Sequence, residues 1–126
     1  MNVLVDTSVW IEHFRNGSPS LVALILEDRV LTHPMVILEL ACGAPLEPRA
    51  QTLADIGLLQ SSNLANFDEV MILIEREKLY GNGCGLVDIS LLCSTLITSN
   101  AYLWTLDKKL LAMAQRFGID FQPVTH

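Results

Sequence analysis

Hydrophobic positions along this chain fall into two alternating patterns. Short continuous apolar runs alternate with longer stretches of helical period. Three runs predict short buried strands: Asn2-Val3-Leu4-Val5, Val30-Leu31-Thr32 and Tyr102-Leu103-Trp104-Thr105-Leu106. The first predicted helix runs from Ser8 to about Phe14, with Thr7 or Ser8 offering a cap, and the turn Asn16-Gly17-Ser18-Pro19 ends it. A second helix spans Pro19 to Glu27, with Leu21, Leu24 and Ile25 on one face. A third starts at Pro34 and runs to about Cys42, where Gly43 closes it. Another covers about Glu47 to Ile56, followed by a turn at Gly57 and a short strand or loop through Leu58-Leu59-Gln60.

Asn66 then caps an amphipathic helix. Its stripe is Phe67, Val70, Met71 and Ile74, set against solvated Asp68, Glu69, Glu75 and Arg76. The glycine-rich loop Gly81-Asn82-Gly83-Cys84-Gly85 precedes a helix from Leu86 to about Thr98. The last helix begins at Asp107 or Lys108 and ends near Gly118, and Phe121-Gln122-Pro123-Val124 reads as a final edge strand. Short strands alternating with helices imply an α/β fold. The expected architecture is one domain over residues 1–126, an α/β/α sandwich around a mostly parallel sheet.

Four carboxylates interrupt this apolar pattern. Asp6 directly follows the first strand, and Glu39 is the one charge in an otherwise apolar helix, which predicts that it is buried. Asp88 sits in the first turn of its helix, and Asp107 follows the last central strand. No Lys or Arg lies within four residues of Asp6, Glu39 or Asp88. Buried carboxylates without a partner are costly, and clustered ones repel. A shared divalent cation resolves both problems and points to metal-assisted phosphoryl chemistry. In a parallel sheet, ligands gather beyond the carboxyl ends of the strands, where Asp6 and Asp107 both arrive. Each acid also has a structural reading: a helix cap for Asp6 and Asp107, a solvent-facing strip for Glu39, and a dipole partner for Asp88.

Composition narrows the classes. The chain has 126 residues, 51% of them hydrophobic, enough for a sizeable core and too apolar for disorder. No apolar run is long enough to span a bilayer, and the N-terminus lacks a basic region and meets an acid early, so cytoplasmic residence is the default. Cys42, Cys84 and Cys93 show no C-x-x-C spacing, which argues against a disulfide framework and a structural zinc site. His13, His33 and His126 are scattered, and His33 before Pro34 suits a structural role. The net charge of −6 argues against a simple electrostatic nucleic-acid binder but leaves room for a nuclease with a local basic rim or a basic partner.

The quoted segments resemble the motifs of PIN domains, specifically of VapC-type toxin ribonucleases. Val5-Asp6-Thr7-Ser8-Val9-Trp10-Ile11 resembles the first motif and Ile37-Leu38-Glu39-Leu40-Ala41-Cys42-Gly43 the second. Gly85-Leu86-Val87-Asp88-Ile89 resembles the third and Thr105-Leu106-Asp107-Lys108-Lys109-Leu110 the fourth, so the resemblance covers essentially the whole chain. It implies an endoribonuclease in which Asp6, Glu39, Asp88 and Asp107 hold Mg²⁺ or Mn²⁺. Thr7, Ser8 and Thr105 would orient carboxylates or water. It also implies an RNA substrate cut to 5′-phosphate and 3′-hydroxyl ends, a homodimer, and a cognate antitoxin whose tail enters the acidic groove. Some relatives carry a further acid three residues past the fourth motif, where this chain has Leu110. Arg15, Lys108 and Lys109 are the candidates for RNA phosphate contacts.

Three other readings compete. An aspartyl-nucleophile phosphatase wants a second acid two residues after Asp6, where Ser8 stands, and a phosphoacceptor domain wants paired acids and a late-strand Lys that are absent. A catalytically silent interaction module on the same fold would not need all four acids.

Overall fold

A computed structural model describes residues 1–124; His126 lies outside the described residues. Strand β1 (Asn2–Val5) is central, flanked by β2 (Val30–Leu31) and β3 (Ala101–Trp104) in the order β2-β1-β3, and both pairings are parallel. The register sets Val3 beside Val30 and Tyr102, and Val5 beside Trp104. Successive residues of a strand face opposite sides, yet Val3, Leu4 and Val5 are all 0% exposed. Both faces of the sheet are therefore covered, the layering an all-parallel sheet requires.

Seven helices cover it among the described residues: α1 (Thr7–Asn16), α2 (Pro19–Leu26), α3 (Pro34–Gly43), α4 (Arg49–Gly57), α5 (Phe67–Glu77), α6 (Leu86–Leu96) and α7 (Lys108–Arg116). Helix α3 packs chiefly on α1 and α4, whereas α6 packs on α5, α7 and β3. Helix α6 is the most deeply set, with Ile89 through Thr95 all buried. Helix α5 begins at a full capping box, in which the Asn66 side chain accepts the Glu69 N–H at 2.8 Å and Glu69 accepts the Asn66 N–H at 3.0 Å.

One expectation fails at the sheet edge. Residues 121–124 form no strand. Contact with β3 is a single bridge between Leu103 and Asp120, with Leu103 N–H donating to Ile119 and Phe121 N–H to Leu103. Pro123 has no N–H to extend that ladder, and Phe121 instead packs its ring 5.3 Å from Trp104. Leu58-Leu59-Gln60, which the sequence leaves open between strand and loop, is a loop, after which Ser61 bridges Thr32 beside β2.

The expected cap of α1 also differs. Asp6 occupies the N-cap position without a side-chain cap bond, and the hydroxyls of Thr7 and Ser8 point elsewhere.

Candidate active site

Strand β1 ends by delivering Asp6 to the carboxyl edge of the sheet, where its N–H donates to Trp104 of β3 at 2.9 Å. Thr105 leaves the neighbouring strand at the same level. The chain moves from β1 to β2 on one side and to β3 on the other, so this edge is a topological switch point, where crevices form.

Asp6 is only 5% exposed, and its Oδ2 accepts two hydroxyls, Ser8 Oγ and Thr105 Oγ1, each at 2.7 Å. Both hydroxyls are themselves fixed by backbone. Thr105 Oγ1 accepts the Asp107 N–H at 3.0 Å, and Ser8 Oγ accepts the Leu106 N–H at 3.0 Å. An accepted amide occupies a lone pair and turns the remaining O–H toward the carboxylate. Two short relays thus run from the segment after β3 to Asp6, each bond polarising the next. Because both hydroxyls donate to Asp6, the 3.4 Å separation between Ser8 Oγ and Thr105 Oγ1 is a packing contact.

The other acids are more open. Glu39 is exposed on α3, contrary to the burial expected for a lone charge in an apolar helix. The helix has a solvent side that also exposes Pro34 and Leu38, so its apolar composition overstates its burial. Thr7 Oγ1 donates to Glu39 Oε1 at 2.7 Å and ties α3 to the start of α1. Asp107 is exposed and caps α7, accepting the Leu110 N–H at 2.9 Å on Oδ1. Asp88 is half-buried in the first turn of α6.

Electrostatics show that these positions converge. Burial, followed by the negative charges of Asp6, Asp107 and Glu39, pushes Asp88 from 3.8 up to about 6, against the lowering effect of a hydrogen bond from the Gly85 backbone. One carboxyl therefore feels the other three. No Lys or Arg makes an ion pair with any of the four among the described residues. Asp6, Glu39 and Asp107 each commit one oxygen to protein donors and leave the other without a hydrogen bond there.

This donor set suits a hard divalent cation. Among the described residues no three acidic, imidazole or thiol groups close into direct-coordination geometry.

The basic candidates separate. Lys108 and Lys109 are exposed at the start of α7, beside Asp107. They line a groove of about 410 Å³ with Asn82, Cys84, Met113 and Arg116. Gly83, at φ +84°, lies against the Lys109 side chain, and a Cβ there would lie 2.7 Å from Lys109 Nζ. Cys84 also belongs to this neighbourhood. Burial and then Asp88 and Asp107 push its thiol up, and Lys109 pulls it down. Arg15 is elsewhere, exposed in the last turn of α1 over a cavity of about 160 Å³ lined by Ile11, Phe14 and residues 43–46. Arg116 and Asn82 are not among the candidates the sequence pointed to. Arg116 lies seven residues after Lys109, two turns along one helix face, and that spacing is the signal.

Comparison with known proteins agrees with this architecture. The family model described as PIN domain matches residues 3–116. Two curated proteins named Ribonuclease VapC32, from Mycobacterium tuberculosis strains CDC 1551 / Oshkosh and ATCC 25618 / H37Rv, are each 42% identical over 117 residues, 93% of this chain and 94% of each relative. With the family model spanning most of its length and relatives this similar end to end, the chain belongs to the PIN domain family.

Proposed function

We propose that this protein is a metal-dependent endoribonuclease, the toxin of a toxin–antitoxin pair. The observation that carries the reading is the raised carboxyl of Asp88, which feels Asp6, Asp107 and Glu39, none of the four ion-paired to a Lys or Arg among the described residues. The 42% identity to proteins named ribonucleases supports RNA as the substrate.

Asp6, Glu39, Asp88 and Asp107 would hold Mg²⁺ or Mn²⁺. A bound ion supplies charge neutralisation at the scissile phosphate and lowers the pKa of attacking water. Ser8 and Thr105 hold Asp6 in one orientation through the two amide relays, and Thr7 does the same for Glu39. Asp88, with its carboxyl at about 6, is the group whose charge follows site occupancy. Lys108 and Lys109, with Arg116 and Asn82 beside them, offer donors to phosphates flanking the cut. Arg15 is a phosphate contact only for RNA that continues along α1. In-line attack by water leaves a 5′-phosphate and a 3′-hydroxyl. An antitoxin with a basic tail suits both the acidic edge and the net charge of −6, and a homodimer is the expected assembly.

The deciding experiment incubates the protein with single-stranded RNA in Mg²⁺, in EDTA, and as the Asp6→Asn variant. Cleavage in Mg²⁺ alone supports the proposal. An Asp6→Asn variant as fast as the parent overturns it.

A further inference from the structure

His33 is buried and takes no part in the chemistry above. Its Nδ1 accepts the Met35 N–H at 3.1 Å and so caps α3. An accepting Nδ1 carries no proton, which leaves the hydrogen of the neutral ring on Nε2. Nε2 lies 3.1 Å from Oγ of Ser94, a residue 0% exposed in α6, and therefore donates to it. The same Oγ accepts the Ala65 N–H at 3.1 Å, so both of its lone pairs are used. One buried knot joins the start of α3, the middle of α6 and the segment leading into α5.

The two helices it joins carry two of the four acids. Glu39 lies six residues beyond His33 on α3, and Asp88 lies six residues before Ser94 on α6, about 9 Å along each helix. These helices are not principal packing neighbours, since α3 leans on α1 and α4 and α6 on α5, α7 and β3. A slide or tilt at the knot is carried by stiff helices to both carboxylates.

We propose that His33 and Ser94 are positioning residues whose hydrogen bond sets the separation of Glu39 and Asp88, and with it the divalent-cation affinity of the acidic site. This rests on the metal-binding reading given above.

The test measures Mn²⁺ binding to the folded protein from the electron paramagnetic resonance signal of free Mn²⁺, beside the melting temperature in EDTA. His33→Asn keeps an oxygen that can cap α3 but is too short to reach Ser94. Ser94→Ala removes the bridge from the other side, and Ser94→Cys keeps the volume while weakening the bond. Each weakens Mn²⁺ binding about tenfold, at the low end of losses for residues behind metal ligands. The double variant His33→Asn/Ser94→Ala is no worse than the weaker single one. Asn66→Ala, which deletes the α5 cap, lowers the melting temperature and leaves Mn²⁺ affinity unchanged. Mn²⁺ affinities within twofold of the parent, with only the melting temperature reduced, overturn the positioning role. A parent that binds no Mn²⁺ overturns instead the metal reading on which it rests.

Discussion

Replacing Asp88 with Asn should make the metal-free protein more stable while destroying its activity. Asp88 titrates at about 6 in the folded chain against an ordinary 3.8. The folded state therefore holds its proton over a range in which the unfolded chain has released it. With the native state binding more protons in that window, stability falls as pH rises from about 4 to about 6 and stays reduced above it. The gap is roughly two units, an upper bound of about 3 kcal/mol at 1.36 kcal/mol per unit. Asp88 is only half-buried, so solvent screening brings this to about 1–1.5 kcal/mol.

The net gain for Asp88→Asn in EDTA at pH 7.5 is about 1 kcal/mol, or about 3–5 °C in melting temperature for a domain of this size. The assay is a melting series from pH 4 to pH 8 in EDTA. The advantage should shrink steadily toward pH 4, as Asp88 regains its proton in the folded state and begins to regain it in the unfolded chain. Adding Mg²⁺ should raise the parent's melting temperature more than the variant's, because the ion relieves a repulsion the variant no longer has. A variant no more stable than its parent at pH 7.5, or a gain independent of pH, would refute the argument that these carboxylates are crowded.

Three further outcomes follow from the same geometry. Thr105→Val removes one of the two hydroxyls on Asp6 and the acceptor of the Asp107 N–H; kcat should fall about tenfold or more, measured on a fluorogenic RNA, with KM little changed. Lys108→Ala/Lys109→Ala should instead raise KM and flatten the salt dependence of RNA binding in Ca²⁺ by about 1.4 in slope, at roughly 0.7 for each phosphate no longer neutralised, whereas Arg15→Ala should leave the slope for a short RNA unchanged. Gly83→Ala meets a positive φ and the Lys109 side chain at once; a loss of about 1 kcal/mol, read by urea denaturation, is expected.

Much of this fold is legible in the chain because its strands are short, fully buried and bounded by polar turns. Val3-Leu4-Val5 is apolar on consecutive positions, which in a strand means burial on both faces, and the structure has all three at 0% exposure. The edge elements are not legible in the same way. Phe121-Gln122-Pro123-Val124 has strand-like composition, but whether it pairs depends on a donor that Pro123 lacks and on the Trp104 ring nearby. Glu39 shows a related limit. Composition makes α3 look apolar all round, while burial depends on what packs against it, and its chief neighbours α1 and α4 leave Leu38 and Glu39 in solvent.

The hydroxyls expose a deeper ambiguity in sequence reading. Thr7 and Ser8 follow a strand and precede a helix, which is the composition of a helix cap. Asp107 stands in the same context and does cap α7. What separates them is the neighbouring strand. Thr105 arrives beside Asp6 only because β1 and β3 are paired in parallel and end at the same level. Once it is there, the backbone amides of Leu106 and Asp107 fix both hydroxyls and turn their protons onto one carboxylate oxygen. Capping α1 through Ser8 would cost Asp6 one of those donors. The start of α1 therefore goes without a side-chain cap, a sacrifice of about 1 kcal/mol in helix stability, and Asp6 gains a fixed orientation at the one edge of the sheet where ligands collect.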